Sequence, residues 1–236
     1  MSEPRRHFHD ELKDLQATLL RMSSEAEAAV SLAVEALLAR DRTKAEEVIA
    51  GDWDIDRLEM GIENQCVNLL ALHQPMARDL RMLTAILKIS NDLERVGDHA
   101  VNIAESTMRL AGSRMMVAVP ELVEMARLTK AMLADALEAF VRQDPEAARE
   151  ICSRDDQVDT LHRSVFRIVL GHMMKDPELI SAGMEFTSTS RNLERIADLA
   201  TNISEDVVFL VEGKTIKHHA EEHPGVDPEG KGGLIA

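Results

Sequence analysis

Two stretches of this chain, a hundred residues apart, carry nearly the same sequence. Residues 91–105 read NDLERVGDHAVNIAE and residues 191–205 read RNLERIADLATNISE, and eight of the fifteen aligned positions are identical. The match extends upstream, where DWDID at 52–56 corresponds to DDQVD at 155–159. Because such self-similarity is typical of duplicated supersecondary units, we predict that one unit of structure occurs twice.

The composition predicts that this unit is helical. Aromatic residues make up 3% of the chain and tyrosine is absent, whereas Ala, Leu, Glu and Arg are abundant. These four residue types favour helices. Turn sequences, among them HQPMA, AGSRMMVAVP and RQDPEA, separate six helical segments, expected at about 8–40, 45–72, 76–110, 121–141, 146–174 and from KDPEL to about 211.

Three antiparallel helices can close one hydrophobic core, so six helices in two equal units predict a definite architecture. We expect an all-α fold, a tandem repeat of two antiparallel three-helix bundles. The first bundle comprises residues 1–115 and the second residues 116–212. Residues 213–236, GKTIKHHAEEHPGVDPEGKGGLIA, are polar and rich in Gly and Pro, and we predict that this tail is disordered.

The repeated motif has one apolar face and one acidic face when it is placed on a helix. The residues expected to face the core recur at steps of three and four, and they are Ile86, Ile89, Leu93, Val96, Ala100 and Ile103, with Leu193, Ile196, Ala200 and Ile203 in the second copy. Glu94 and Asp98 lie off this seam and are four residues apart, so their carboxylates project side by side. Glu194 and Asp198 repeat the arrangement.

A second acidic pair precedes each motif, Asp52 with Asp56 and Asp155 with Asp159. If the two helices of a repeat pack side by side, each bundle presents four carboxylates in one patch. Oxygen-only clusters of this kind suit hard or borderline cations such as iron, manganese, magnesium or zinc. Because the acids lie off the core seam, we expect the sites to be open at the surface. Such sites suit docking or sensing better than buried redox chemistry.

Acids at this spacing are also common on ordinary solvated helix faces, where Arg95 or Arg195 would serve as counterions. The duplication favours a bound cation or charged partner, since the acids are kept in both copies while His99 corresponds to Leu199. Ala197 takes the place of Gly97, a change that a helix tolerates. The residues alone leave the two interpretations open.

Charge and hydropathy exclude several classes of protein. The formal net charge of −15 argues against direct nucleic-acid binding, which needs a basic surface. Cys66 and Cys152 are far apart with no CxxC motif, and we interpret them as reduced core residues of a cytoplasmic protein. No signal-peptide core and no apolar run of about 18 residues is present, so we predict neither export nor a transmembrane segment.

The strings DWDID, HQPMARDLRMLTAILKISNDLERVGDHAVNIAE and RNLERIADLATNISE resemble the PhoU family of phosphate-transport regulators. The resemblance covers about residues 5–219 and both repeats. It implies two three-helix bundles with multinuclear metal clusters on the surface, of iron or zinc, with manganese or magnesium as further candidates. The metal-binding positions that it implies are Asp52, Asp56, Glu94 and Asp98 for the first site and Asp155, Asp159, Glu194 and Asp198 for the second.

The resemblance also implies a function. Members of the family are accessory proteins of the phosphate-specific transport system that link the ATPase of the phosphate ABC transporter to a membrane sensor histidine kinase. They act as negative regulators of the phosphate-starvation response and of phosphate uptake. We therefore expect a non-enzymatic cytoplasmic adaptor, a homodimer, that reaches the inner membrane through its partners. The second repeat lacks equivalents of Arg78, Asp79 and Arg81, so its turn surface differs from that of the first.

Two rival interpretations remain at this level. The acidic clusters could activate water in a metal-dependent hydrolase. We disfavour this because no separate general acid or base converges on the acids in the sequence. Alternatively, the chain is a structural helical scaffold whose acids only solvate it, and metal analysis of untagged protein would distinguish that case.

Overall fold

The computed structural model describes residues 3–110 and 119–216. Within these residues there are helices and turns but no strand, so the all-α prediction is confirmed. The helices are α1 (Glu3–Ala39), α2 (Arg42–His73), α3 (Arg78–Arg109), α4 (Pro120–Arg142), α5 (Pro145–Cys152), α6 (Asp155–Lys175) and α7 (Ile180–Glu212), with a short 3-10 helix (Pro177–Leu179) before α7.

Side-chain caps and left-handed residues mark several helix ends. The Asp41 side chain accepts a hydrogen bond from the backbone N–H of Lys44 at the start of α2, and Asp144 caps α5 in the same way. Gln74, with φ 47°, ends α2, and Gly213, with φ 71°, ends α7. These residues explain why the predicted turns fall where they do.

The helices form two bundles that meet along α3 and α7. Helices α1, α2 and α3 pack on one another, as do α4, α6 and α7 with the short α5. Three contacts set the register between α3 and α7: Lys88 Nζ with Asp206 Oδ1 at 3.0 Å, His99 Nδ1 with Asn192 Oδ1 at 2.9 Å, and Arg109 Nε with Glu185 Oε2 at 3.0 Å. The two helices are therefore antiparallel, and Val96 lies level with its own copy, Ile196.

The predicted seams face the core in both repeats. All ten seam residues are buried, with exposures between 0% and 1%. Buried apolar side chains from both bundles join in one cluster in the described part of the chain. The two repeats therefore share a core across α3 and α7.

The prediction of one continuous helix over 146–174 is wrong. The α-helix is interrupted by a turn at Ser153 and Arg154, which divides the segment into α5 and α6, although both residues keep right-handed helical φ and ψ values. Arg154 Nη1 lies 2.7 Å from Asp135 Oδ2 on α4, so an ion pair holds this break against the bundle. Nothing in the helical periodicity marks the position, because the partner is nineteen residues away in sequence.

Two predictions concern residues outside the described ranges. The boundary between the repeats, placed at 115/116, falls within 111–118, and most of the tail predicted to be disordered falls within 217–236. Of the described tail residues, Ile216 packs against the core. No described helix contains a stretch long and apolar enough to cross a membrane.

Candidate metal centre

Helices α2 and α3 approach each other closely at Gly97, beside the first set of predicted acids. A Cβ atom at Gly97 would lie 3.1 Å from Ile55 Cδ1 and 3.3 Å from Asp52 Oδ1. The absence of a side chain at this position therefore lets the segment of α2 that carries Asp52 and Asp56 lie directly against the acidic face of α3. The four predicted residues, which we name the first acidic cluster, are Asp52, Asp56, Glu94 and Asp98.

Electrostatic repulsion among the acids of the first cluster indicates that they lie near one another. Partial burial raises the pKa of Asp52, and repulsion from Asp56 and Asp98 raises it further. Partial burial also raises the pKa of Glu94, with added repulsion from Asp98 and Asp56. A cation bound beside these carboxyl groups would stabilise their ionised forms, because its positive charge offsets the repulsion that raises their pKa values.

Helices α6 and α7 bring the second set of acids together in the same way. Partial burial, together with repulsion from Asp198 and Asp159, raises the pKa of Asp155 to about 6. Burial and Glu194 raise the pKa of Asp198, against an opposing effect of Arg195. The second acidic cluster consists of Asp155, Asp159, Glu194 and Asp198.

Both clusters open to solvent. Asp98 is exposed, and the other seven acids are partly exposed. The expectation that the carboxylates lie at the surface, outside the core seam, therefore agrees with the structure.

The donors fit a cation in chemical type, but their side chains do not converge on one point. Within residues 7–110 and 119–216, no three His, Cys, Asp or Glu side chains are close enough to hold a single ion as they stand. Mutual repulsion favours such a spread arrangement in the absence of a cation. Because these side chains are at least partly exposed, rotation about their χ angles can bring pairs of oxygens to a shared ion. Metal binding therefore stays a prediction.

The two clusters have different counterions. Arg195 Nη1 lies 3.3 Å from Asp198 Oδ2, and its Nε lies 3.8 Å from Glu194 Oε2. In the first repeat, Arg95 instead pairs with Asp92 at 3.4 Å. Of the two arginines considered from the sequence, Arg195 contacts its cluster, whereas Arg95 pairs with an acid outside the first cluster.

Sequence reasoning missed one acid of the first patch, Glu59. Partial burial raises the pKa of Glu59, and Glu63 and Asp56 add repulsion. Its position three residues after Asp56 on the same helix face was the available signal. The corresponding residue in the second repeat is His162, whose Nδ1 lies 3.0 Å from Ser190 Oγ. The two patches therefore differ in charge beside their shared acids.

The cysteines are poor metal ligands in this fold. Cys66 is buried, as predicted, whereas Cys152 is only partly buried, and both are free thiols. Burial raises the pKa of Cys66 to about 12 and that of Cys152 to about 11. Because the thiolate is the form that binds metal, neither sulfur competes with the carboxylates at neutral pH.

Each repeat, with its acidic cluster, coincides with a known domain. The model of the PhoU domain matches the chain twice, over residues 19–107 and 122–207. The chain belongs to the PhoU family. The first match contains all four acids of the first cluster, and the second match contains all four acids of the second.

Curated PhoU relatives align with the chain over most of its length. It is 38% identical over 213 residues to a protein of Clostridium acetobutylicum, covering 90% of this chain and 97% of the relative. It is 40% identical over 210 residues to a protein of Caulobacter vibrioides, covering 89% and 91%. Both relatives are named phosphate-specific transport system accessory protein PhoU homolog.

Solved PhoU structures share the fold. The crystal structure of PhoU from Pseudomonas aeruginosa superposes with a TM-score of 0.84 at 36% identity, covering 88% of this chain and 100% of that one. The phosphate transport system regulatory protein PhoU from Streptococcus pneumoniae gives a TM-score of 0.83 at 34% identity, covering 89% and 99%. The similarity therefore extends over both bundles.

Proposed function

We propose that the chain is a metal-binding, non-enzymatic adaptor of the phosphate transport system. In this role it links the ATPase of the phosphate ABC transporter to a membrane sensor histidine kinase. Through this link it represses the phosphate-starvation response and restrains phosphate uptake. The observation that carries the proposal is the similarity to transport-system accessory proteins over nine-tenths of the chain. The protein acts in the cytoplasm and reaches the inner membrane through these partners.

The two acidic clusters supply the metal sites of the proposal. Asp52, Asp56, Glu94 and Asp98 hold one site and Asp155, Asp159, Glu194 and Asp198 the other. A bound ion, iron or zinc in the first place and manganese or magnesium otherwise, supplies positive charge that relieves the repulsion among the carboxylates. The open position of both clusters favours contact with a partner over chemistry that requires the exclusion of water.

A complementation experiment tests the proposal. The gene is deleted in its host, in a strain with no second copy of the family, and starvation genes are measured in phosphate-replete medium. We expect derepression and excess phosphate accumulation, and full repression again when the wild-type chain is restored. Variants lacking one cluster, Glu94→Ala with Asp98→Ala or Glu194→Ala with Asp198→Ala, should keep partial repression, because an adaptor spreads its contacts over a wide surface.

The rival functions give different results in the same strains. If one cluster were a catalytic site, a folded variant lacking that cluster would behave like the deletion. If the chain were only a scaffold, neither cluster variant would change repression or metal content. Normal repression in the deletion strain would overturn the regulatory role altogether.

A further inference from the structure

The start of α1 and the end of α2 bring two histidines and one glutamate together. His7 and Glu11 are four residues apart on α1, so they lie on the same face of that helix. His73 is the last residue of α2, and its side chain contacts Glu11 because the turn between the two helices reverses the chain. We name these three residues the histidine site.

Both imidazole rings of the histidine site contact one carboxylate. His73 Nε2 lies 3.0 Å from Glu11 Oε2, and His7 Nε2 lies 3.5 Å from Glu11 Oε1. Zinc binds imidazole nitrogen and carboxylate oxygen at about 2.0–2.1 Å in tetrahedral geometry, so its ligand atoms lie about 3.3 Å apart. Both measured separations are therefore close to those between the ligand atoms of a zinc site.

One histidine of the site is fixed and the other is free to move. The His73 side chain is 18% exposed, and its ring packs against Phe8 with the centroids 5.3 Å apart, whereas the His7 side chain is 71% exposed. The ring centroids of His7 and His73 are 6.3 Å apart, and two imidazoles on one tetrahedral zinc ion have centroids about 5 Å apart. The three side chains therefore do not hold an ion as they stand. Rotation of the His7 side chain about its χ angles can close this gap.

Solvent reaches the site through a cavity between α1 and α2. Glu11 is 40% exposed and lines this cavity, of about 240 Å³, together with Asp14 from α1 and Gln65 and Asn68 from α2. Zinc sites with three protein ligands commonly take water as the fourth. The polar cavity supplies that water beside the Glu11 carboxylate.

The histidine site differs from the acidic clusters in its ligands and in its distribution. The clusters offer only oxygen atoms, whereas this site offers two imidazole nitrogens, which suit zinc better than magnesium or manganese. Helix α4, which takes the place of α1 in the second repeat, contains no histidine. The site therefore has no counterpart on α4, although the acidic clusters occur in both repeats.

We propose that His7, Glu11 and His73 bind one Zn²⁺ ion, with water as the fourth ligand. Each histidine binds through an unprotonated Nε2 and Glu11 through its carboxylate. The ion ties the start of α1 to the end of α2. The inference goes beyond the proposed function and does not rest on it, because none of these residues belongs to an acidic cluster.

Titration of metal-free, full-length protein with Co²⁺ tests the inference. Tetrahedral Co²⁺ with imidazole ligands absorbs visible light strongly, whereas octahedral Co²⁺ bound by carboxylates and water absorbs weakly. We expect one strongly absorbing Co²⁺ ion in the wild type, which Zn²⁺ displaces. The signal should persist when both acidic clusters are disabled by Glu94→Ala/Asp98→Ala and Glu194→Ala/Asp198→Ala in one protein.

Two single substitutions each remove a ligand from the site. We expect His7→Ala and Glu11→Gln to weaken Co²⁺ and Zn²⁺ binding at this site by at least about tenfold. His9→Ala, on the same helix two residues from His7, is the matched control and should change the affinity by less than about twofold. Mn²⁺, which prefers carboxylates and water, should bind equally to wild type and His7→Ala. Circular dichroism checks that the helices are intact.

The histidines near the end of the chain provide a second control. His218→Ala/His219→Ala/His223→Ala should leave the Co²⁺ signal unchanged. Loss of the signal in this variant would overturn the inference, and so would equal binding by wild type, His7→Ala and Glu11→Gln. Either result leaves the adaptor function standing, because normal repression in the deletion strain is what would overturn that function, and it would not affect the zinc site.

Discussion

At the scale of single residues, the two acidic clusters share four positions but differ in their surroundings. In the second cluster, Arg195 lies 3.3 Å from Asp198. The first cluster instead has an additional acid, Glu59, as a neighbour, and Arg95 pairs with Asp92, which lies outside the cluster. The first cluster therefore carries the larger uncompensated negative charge. A cation should be bound more tightly there, since its attraction to the site increases with this charge.

Metal titration tests this difference. We expect two classes of site, with Glu94→Ala/Asp98→Ala removing the tighter class and leaving the weaker one filled, because the sites lie in separate bundles. Arg195→Ala should tighten the second site by about three- to tenfold, whereas the matched variant Arg95→Ala should leave the first site unchanged. Elemental analysis measures the metal content of each variant, and calorimetry measures the affinity of each site. Unchanged metal content in Glu94→Ala/Asp98→Ala would show that these acids are only a solvated surface.

The pH dependence of stability provides a second prediction at this scale. The pKa of Asp155 is raised in the fold from 3.8 to about 6, so the fold disfavours its ionised form. The contribution of the neutral carboxyl is fully present below pH 3.8 and is lost as the pH rises through about 6. In metal-free protein, Asp155→Asn should therefore raise the free energy of unfolding at pH 7.5 by about 1 kcal/mol, a value discounted for solvent screening.

Urea denaturation at two pH values measures the effect of Asp155→Asn. The increase in the free energy of unfolding should disappear at pH 3.5, where the Asp155 carboxyl of the wild type is itself neutral. Asp10→Asn, at an exposed position on α1, serves as the control and should change little at either pH. A gain of equal size at both pH values would contradict the electrostatic explanation.

At the scale of helices, the contact between α2 and α3 explains a difference between the repeats. The Cβ that Gly97 lacks would meet Ile55 Cδ1 at 3.1 Å. In the second repeat, Ala197 supplies that Cβ, and Val158, which corresponds to Ile55, lacks a Cδ1 atom. Both Ala197 and Val158 are fully buried. The two repeats therefore fill the same space with one methyl group from opposite helices.

A double-mutant cycle tests this exchange. Gly97→Ala gains helix propensity but crowds Ile55, and Ile55→Val removes the crowded atom. We expect the change Gly97→Ala to be more favourable by about 1 kcal/mol in the Ile55→Val background than in the wild type. Gly61→Ala on α2, where no atom outside the neighbouring turns of the helix lies within 4 Å of the new Cβ, should show no coupling to Ile55→Val. Additivity of Gly97→Ala and Ile55→Val would contradict the packing explanation.

At the scale of the whole molecule, α3 and α7 join the repeats into one core. Seam residues of both helices are buried in the same cluster, and Lys88 pairs with Asp206, whose side chain is only 2% exposed. The two bundles therefore cannot separate without exposing apolar surface and a buried carboxylate. We expect them to unfold together.

Mutation of one repeat should consequently be detected in the other. Ile196→Ala, in the second repeat, should lower the free energy of unfolding by about 2 to 4 kcal/mol. Trp53, the single tryptophan, lies in the first repeat and is 64% exposed. Its fluorescence midpoint should fall together with the circular dichroism midpoint, whereas Val141→Ala, at a position 52% exposed, should shift neither by much. A Trp53 transition that Ile196→Ala leaves unchanged would show that the bundles unfold independently.

The helical class, the duplication, the buried seams and the acids on the opposite face could all be predicted from the amino-acid sequence. These features depend on residues three or four apart, whose relative positions follow from helix geometry alone. Four other features emerge only in the folded chain. They are the break at Ser153, the antiparallel contact between α3 and α7, the pairing of Arg195 with Asp198 but of Arg95 with Asp92, and the exposure of Arg163 and Arg167 on α6. The α-helical break and the contact of α3 with α7 depend on partners far away in sequence. Which acid each arginine pairs with depends on the side chains that neighbouring helices place near it. That arrangement cannot be predicted from the residue spacing along one helix.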